Sequence, residues 1–555
     1  MKTALRHRYS ALHQPLVCAV LLAALVLPMA AQQPTPGTGE QQPAGNPTTK
    51  TESSKPAHPI TPEQAQQLFG MVDRLLKFSS DETGYPIKST VKRRLTTRDA
   101  VEAYIRQKFD EDQDAKRMQR SEIVLKKFGM LDRDFDLKPF LLQLLKEQIE
   151  AYYDPKSKTV NMLDWVTPDE QKPVLAHELT HALQDQHVSL ETWGDQTPED
   201  PSQTASEDTD HLAKDEMDTA RQAVLEGQAT AVMMDNILKP MGHSLIKDPE
   251  VVEYIKQKMT GNDSSPILAR APLLLSESLL FPYREGLSFE QDVWMDKGQA
   301  AAFAGVLDRP PSSSWEIINP REYEAGHTAP IPFLPNIHPI VDRDYTPYDI
   351  GQIGQLDVHI LTGIIGGDEA ARDFAPAWNG GLYWAGQLKA ATPTEKATTK
   401  SIALFYLSIW KSKQSAKDFA ALYSRSLGRE FSDLKPLPEG ETAPLQGPES
   451  EDGTVNDDEQ VFTTDEGPVV ITTRGKMVFV SETFPLPMAR KLANLILDAQ
   501  GTGDLRMASS SSESAVQTAK LQPNHLQPLT GSLVRFMSNC GVMKAAVSAG
   551  LQAAR

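Results

Sequence analysis

Cysteine is nearly absent from this chain: its 555 residues include only Cys18 and Cys540. Cys18 lies in an N-terminal segment with the layout of a cleaved signal, so the mature protein is expected to keep a single cysteine. One cysteine excludes an intrachain disulfide. The fold must therefore depend on a hydrophobic core, and a chain of this length has ample apolar material for one.

Positive charge and long apolar runs are also scarce. The chain has 56 Lys and Arg residues against 74 Asp and Glu, which gives a net charge of −18. This balance argues against nucleic acid and anionic membrane surfaces as partners, because both bind basic patches. Beyond the N-terminus no run approaches the roughly 20 apolar residues of a membrane span, so no stable span is expected after signal removal.

The first 31 residues predict a secretory signal peptide. Lys2, Arg6 and Arg8 form a basic start, an apolar run extends from Leu16 to about Met29, and two alanines follow. The apolar run is short for a membrane span, although an uncleaved anchor remains an alternative. We therefore expect a secreted or periplasmic protein.

One pentapeptide, His177-Glu178-Leu179-Thr180-His181, predicts a metal site. It has the pattern H-E-x-x-H and lies where apolar residues recur with helical spacing. Two imidazoles four residues apart share one helix face and can bind one Zn²⁺ ion, while the adjacent glutamate can reach a water beside that ion. The preceding Thr167-Pro168-Asp169-Glu170 is a capping box with proline at the first helical position. The sequence thus predicts His177 and His181 as ligands and Glu178 as catalytic base.

Two residues are candidates for the third zinc ligand. His187 has the spacing of the metzincin pattern, but the glycine that lets that chain turn back to the metal is replaced here by Gln184. Glu226 lies in a helical pattern from about 211 to 238, among small residues that suit close contact between helices. A glutamate from a second helix gives an open His₂Glu site. We favour Glu226 and keep His187 as the alternative.

Several segments together resemble a known group of proteins. They are residues 150–160, 177–187, 225–229, 310–323 and 370–381. They resemble gluzincin-type zinc metallopeptidases and, more narrowly, a bacterial family of secreted zincin-like proteins, over about residues 60–500. The resemblance implies Zn²⁺ as cofactor, His177, His181 and Glu226 as its ligands, and Glu178 as the catalytic residue.

One departure from better-known gluzincins concerns the orientation of a ligand histidine. Many gluzincins place an aspartate four residues after the ligand glutamate, where it holds that histidine. Here the position is Thr230, so the orienting partner must come from elsewhere. The donor that stabilises the oxyanion of the reaction is also open, and Tyr283, Tyr323 and His327 are the candidates.

The segment Thr159–Trp165 predicts a strand just before the motif helix. Zincin folds use an edge strand near the active-site helix to pair with extended substrate, so strand addition is one role for this segment. An ordinary core strand is the other, and the sequence favours neither.

The order of patterns along the chain predicts an α+β protein. We expect a signal peptide at 1–31, a disordered Pro/Gln/Thr-rich linker at 32–60 and a mostly helical zincin-like metallopeptidase domain at 61–340. A C-terminal α+β domain is expected at 341–500, followed by a flexible Ser/Gln-rich tail with a short terminal helix at 501–555. The acidic stretch between Glu199 and Asp218 lacks the spacing of a calcium loop and predicts a solvated insertion.

These observations predict a secreted zinc-dependent peptidase whose partner is a peptide or protein substrate. The alternative is a catalytically inactive zincin-fold protein that binds peptides or acts as a scaffold. A zinc hydrolase acting on a non-peptide amide is a weaker third option. Glu178 favours the enzyme, because a purely structural metal site needs no base beside its ligand. The sequence predicts no particular oligomeric state.

Overall fold

The computed structural model describes residues 59–111, 113–193, 203–259, 265–437, 458–500, 533–534, 537 and 544–553. These residues belong to one compact unit. The predicted signal peptide, nearly all of the predicted linker and most of the predicted tail lie outside the described residues. No helix in the described ranges is long and apolar enough to cross a membrane.

The protein is a mixed α+β structure, as predicted, with helices concentrated before residue 342. The helices are α1 Pro62–Thr83, α2 Arg98–Glu111, α3 Gln113–Lys127, α4 Leu137–Gln148, α5 Pro168–Val188, α6 Leu190–Trp193, α7 Ala205–Lys214, α8 Met217–Leu238, α9 Glu250–Lys258, α10 Leu273–Lys297, α11 Val306–Asp308, α12 Ser314–Ile318, α13 Pro320–Ala325, α14 His338–Val341, α15 Gln355–Ala377, α16 Pro393–Lys396, α17 Lys413–Glu430, α18 Leu486–Ala499 and α19 Lys544–Ala553.

The strands fall into one small and one large sheet. They are β1 Lys92–Thr96, β2 Ala151–Asp154, β3 Thr159–Leu163, β4 Tyr345–Gln352, β5 Trp378–Leu388, β6 Ile402–Trp410, β7 Lys435–Pro436, β8 Asp458–Thr464, β9 Gly467–Arg474 and β10 Met477–Glu482.

The motif helix α5 begins where the capping box predicts. Thr167 is the N-cap, Pro168 occupies the first helical position, and the Glu170 carboxylate accepts hydrogen bonds from the backbone N–H and hydroxyl of Thr167. Pro173 lies inside the helix rather than at its start. The helix packs against α1 on one side and α8 on another, and α8 in turn packs against α10. This buried position fixes the direction in which the motif side chains point.

The small sheet has the order β1-β3-β2, with β1 parallel and β2 antiparallel to β3. The predicted strand before the motif helix is β3, and both of its edges are occupied by neighbours. It is therefore a core strand and is not available for strand addition. Strand β2 lies at one edge of this sheet and packs beside α5. Helical periodicity predicts a helix as far as Tyr152, but α4 ends at Gln148 and Tyr152 lies in β2.

The large sheet is antiparallel throughout, in the order β4-β5-β6-β10-β9-β8-β7. All nine residues of β6 are buried, which explains its continuous apolar run. Its alternate side chains face two different cores: Tyr406 lies in the core that also contains the N-terminal helices, and Phe405 lies in a second core with residues of α18. Helices thus cover both faces of the sheet.

Candidate metal centre

Helices α5 and α8 bring three ligand atoms together. His177 Nε2 lies 3.0 Å from His181 Nε2 and 3.0 Å from Glu226 Oε2, and the third separation, between His181 Nε2 and Glu226 Oε2, is 3.5 Å. The side chains of His177, His181 and Glu226 are only 1%, 13% and 3% exposed. The three predicted ligands therefore converge on one point, and His181 is the most exposed of them.

These three atoms fit a zinc ion by spacing and by type. Ligand atoms about 2.0–2.1 Å from a tetrahedral zinc lie about 3.3 Å apart, which the observed separations bracket. Two imidazoles and one carboxylate leave a fourth position for water or substrate, as catalytic zinc sites require. In the part of the chain that the structure describes, no other group of three His, Cys, Asp or Glu side chains is arranged to hold a metal.

The charges at this point also favour a cation. Burial alone raises the pKa of Glu226, but the charge on His181 and the hydrogen bonds with both imidazoles bring it down to about 2. Burial lowers the pKa of His177 to about 4. Burial alone also lowers the pKa of His181, yet the carboxylate of Glu226 raises it to about 9. A proton is thus held between the ligands, and metal binding would release it.

Glu178 is placed between the ligands and the edge strand β2. Its Oε2 accepts a hydrogen bond of 2.6 Å from the backbone N–H of Tyr153, while its buried Oε1 has no hydrogen-bond partner among the residues that the structure describes. Burial raises the pKa of Glu178 to about 7, against the opposing charge of His181. A carboxylate with one fixed and one unoccupied oxygen, and with a pKa near neutrality, is suited to accept and return a proton.

Two of the other sequence candidates lie away from this point. His187 pairs with Asp308 at 3.1 Å and its ring lies 5.2 Å from that of Tyr85, so it does not join the ligand cluster. His327 is on the surface and binds Glu322 at 2.7 Å. The structure therefore brings together the favoured ligand set and leaves the metzincin-like alternative apart.

The two tyrosine candidates for oxyanion stabilisation have different positions. The hydroxyl of Tyr323 donates to the carbonyl oxygen of Arg309 at 2.7 Å. The Tyr283 ring is stacked 6.2 Å from the His177 ring, at an interplanar angle of 25°. Of the three candidates, Tyr283 is thus the one in contact with a ligand side chain.

Sequence reasoning missed the residues that hold the ligands in place. His181 Nδ1 is bonded to Gln184 Oε1 at 2.8 Å, and Gln222, one turn before Glu226, donates to Glu226 Oε1 at 3.1 Å. Gln184 is the residue that occupies the metzincin glycine position. The absence of that glycine was visible in the sequence, and it argued against the His187 ligand geometry without indicating what the glutamine does instead.

Comparison with known protein families, with curated proteins and with solved structures finds no match for this chain.

Proposed function

We propose that this protein is a zinc-dependent peptidase with a His₂Glu site and a glutamate general base. The observation that carries the proposal is the convergence of His177 Nε2, His181 Nε2 and Glu226 Oε2 within 3.5 Å of one another, next to a buried glutamate. A structural zinc site needs four protein ligands and no base, whereas three ligands beside a carboxylate are the composition of a hydrolytic site.

Each residue then has a defined task. Bound zinc supplies Lewis acidity, which polarises the scissile carbonyl and lowers the pKa of water. Glu178 takes a proton from the attacking water on its unoccupied Oε1 and later returns it to the leaving amine. The hydrogen bond from Tyr153 N–H holds the other oxygen of this carboxylate and so fixes the orientation of the Glu178 side chain. Tyr283 is the candidate oxyanion donor, because its ring contacts His177.

The substrate is an extended segment of peptide or protein. Strand β2 supports this choice, because it lies at the edge of its sheet and its Tyr153 N–H points away from β3 to Glu178. Backbone groups on such an edge can pair with an extended chain and carry its carbonyl toward the base. The same arrangement is what a zincin-like domain requires, and the N-terminal signal pattern agrees with export to the periplasm or medium.

The test compares wild type with Glu178→Gln and with Asp169→Asn, an exposed carboxylate-to-amide change on the same helix. Zinc content and cleavage of casein, an unstructured protein, are measured for all three. We expect one zinc per chain in each, cleavage by wild type and Asp169→Asn, and a loss of at least 10²–10⁴-fold in kcat for Glu178→Gln.

Equal cleavage by Glu178→Gln would overturn the base assignment. Zinc binding by wild type with no cleavage of any unfolded protein would instead favour the inactive zincin-fold alternative, which binds peptides or acts as a scaffold. The absence of zinc after reconstitution would reject both.

A further inference from the structure

Two buried glutamine side chains form a hydrogen-bonded series that begins at His181 of the metal centre. His181 Nδ1 contacts Gln184 Oε1, and Gln184 in turn contacts Gln228 on α8. Both glutamines have no exposed surface. The direction of each hydrogen bond in this series follows from the groups at its far end, because backbone carbonyls can only accept.

Two backbone carbonyls determine which way the side-chain amide of Gln228 points. Its side-chain amide lies 3.0 Å from the carbonyl oxygen of Ala302 and 2.9 Å from that of Phe303. Two acceptors on one side require the NH₂ group to point there. Gln228 Oε1 therefore points the opposite way, where it accepts from the Tyr85 hydroxyl at 2.9 Å and from Gln184 at 3.0 Å.

The orientation of the Gln184 side-chain amide is determined in the same manner. Its amide lies 3.0 Å from the carbonyl oxygen of Leu225, which is again an acceptor, and 3.0 Å from Gln228 Oε1. Both contacts use the NH₂ group, so Oε1 must face His181. Because that oxygen can only accept, Nδ1 keeps its proton when His181 becomes the neutral imidazole that a metal requires. The lone pair of Nε2 is then directed at the point where the three ligand atoms converge.

We infer that Gln184 and Gln228 are positioning residues that fix the tautomer and ring orientation of His181 for metal binding. This chain has Thr230 at the position where many gluzincins carry an orienting aspartate. Among the described residues, neither His177 Nδ1 nor Thr230 Oγ1 has a hydrogen-bond partner. Of the two ligand histidines, His181 is thus the one that a side chain orients, through an amide pair that carries no charge. This inference deepens the proposed function and rests on its metal site, but not on its peptidase activity.

The test measures zinc affinity by competition with a chelator, together with the visible absorption spectrum of the Co²⁺-loaded protein. Gln184→Met removes the acceptor at similar volume, and we expect about 10–100-fold weaker zinc binding and an altered Co²⁺ spectrum. Gln171→Met is the matched control, because Gln171 is equally buried on the same helix and its side chain bonds Leu163 and Val166, away from the metal centre. It should lower stability and leave zinc affinity and spectrum unchanged.

The variant Gln184→Glu distinguishes the effect of Gln184 on His181 from its effect on the stability of the core. It keeps an acceptor oxygen toward His181 but turns a second oxygen toward the Leu225 carbonyl, so stability should fall while most of the zinc affinity returns. Wild-type zinc affinity in Gln184→Met, or equal losses in Gln184→Met and Gln171→Met, would overturn the inference. Zinc binding without peptide cleavage would reject only the proposed function, whereas no zinc binding by wild type would reject both.

Discussion

Gly227 of α8 and Gly286 of α10 meet backbone to backbone. A Cβ at position 227 would lie 2.3 Å from the carbonyl oxygen of Gly286, and one at position 286 would lie 2.1 Å from the carbonyl oxygen of Ala223. Both distances are far shorter than any tolerated contact, and neither neighbour is a movable side chain. The proposed ligand Glu226 directly precedes this crossing, so the closeness of the two helices sets the position of its carboxylate.

Gly227→Ala should therefore weaken the metal site as well as the fold. The methyl group must push α8 away from α10, which costs about 1–3 kcal/mol of stability as in other overpacked cores and moves Glu226 relative to His177. Zinc affinity and urea unfolding would both report this. The control is Gly70→Ala in α1, where a Cβ meets nothing within 4 Å and the helix should gain about 0.5–1 kcal/mol. Unchanged zinc affinity in Gly227→Ala would contradict the prediction.

The choice of third ligand gives a second prediction. Glu226→Ala removes one of the three converging atoms and should abolish stoichiometric zinc binding in the purified protein. His187→Ala removes a ring that pairs with Asp308 and should leave one zinc per chain. Metal analysis of the two variants beside wild type distinguishes them directly. The reverse pattern would point to a metzincin-like site.

Local spacing explains which parts of the site the sequence could predict. His177 and His181 share a helix face whatever the rest of the chain does, and the small residues around Glu226 indicated a close helix crossing. Gln184 and Tyr153 were missed because their roles depend on partners from other elements, which no periodicity encodes. Their contacts exist only after α5, α8 and β2 have packed together.

Charge gave a wrong expectation for part of the acidic stretch. The sequence predicts solvated carboxylates here, but four of them are only 0–2% exposed: Asp208, Asp215, Glu216 and Asp218. Asp215 accepts from the backbone N–H of Gln352, and Glu216 accepts from the backbone N–H and hydroxyl of Ser314. The helix predicted over about residues 211–238 is interrupted at this pair, between α7 and α8. Composition favours exposure of carboxylates, and tertiary hydrogen bonds overrode it here.

A buried ion pair supports a third prediction. Lys127 at the end of α3 contacts Glu466, in the turn between β8 and β9, at 2.7 Å, and the two side chains are 0% and 1% exposed. Lys127→Met leaves Glu466 buried with the partly exposed Arg133 as its remaining cation. We expect a loss of about 3–5 kcal/mol in unfolding free energy. Lys77→Met, which breaks the exposed pair with Asp81, should cost less than about 1 kcal/mol. Similar small losses in both variants would contradict this assignment.

The raised pKa of buried Glu216 leads to a prediction of how the stability of the protein depends on pH. Burial and the neighbouring carboxylates of Asp357 and Glu316 raise its pKa from 4.5 to about 8. Between these two values the native state holds a proton that the unfolded chain has lost, so this residue makes stability fall as the pH rises from about 4.5 to 8. Glu216→Gln keeps an acceptor oxygen for Ser314 and removes the titration. The variant should match wild type near pH 4.5 and exceed it at pH 8, by on the order of a few kcal/mol.

Urea unfolding of wild type and Glu216→Gln at pH 4.5, 6 and 8 measures this difference. Glu369→Gln, at an exposed position of α15, is the control and should follow wild type at all three values. The direction in which stability changes with pH is decisive, because a Glu216 carboxylate stabilised by its hydrogen bonds from Ser314 would have a lowered pKa. The wild type would then gain stability as the pH rises, and Glu216→Gln would be the less stable protein at pH 8. A difference between the two proteins that is independent of pH would show that Glu216 contributes through packing and hydrogen bonds rather than through its proton.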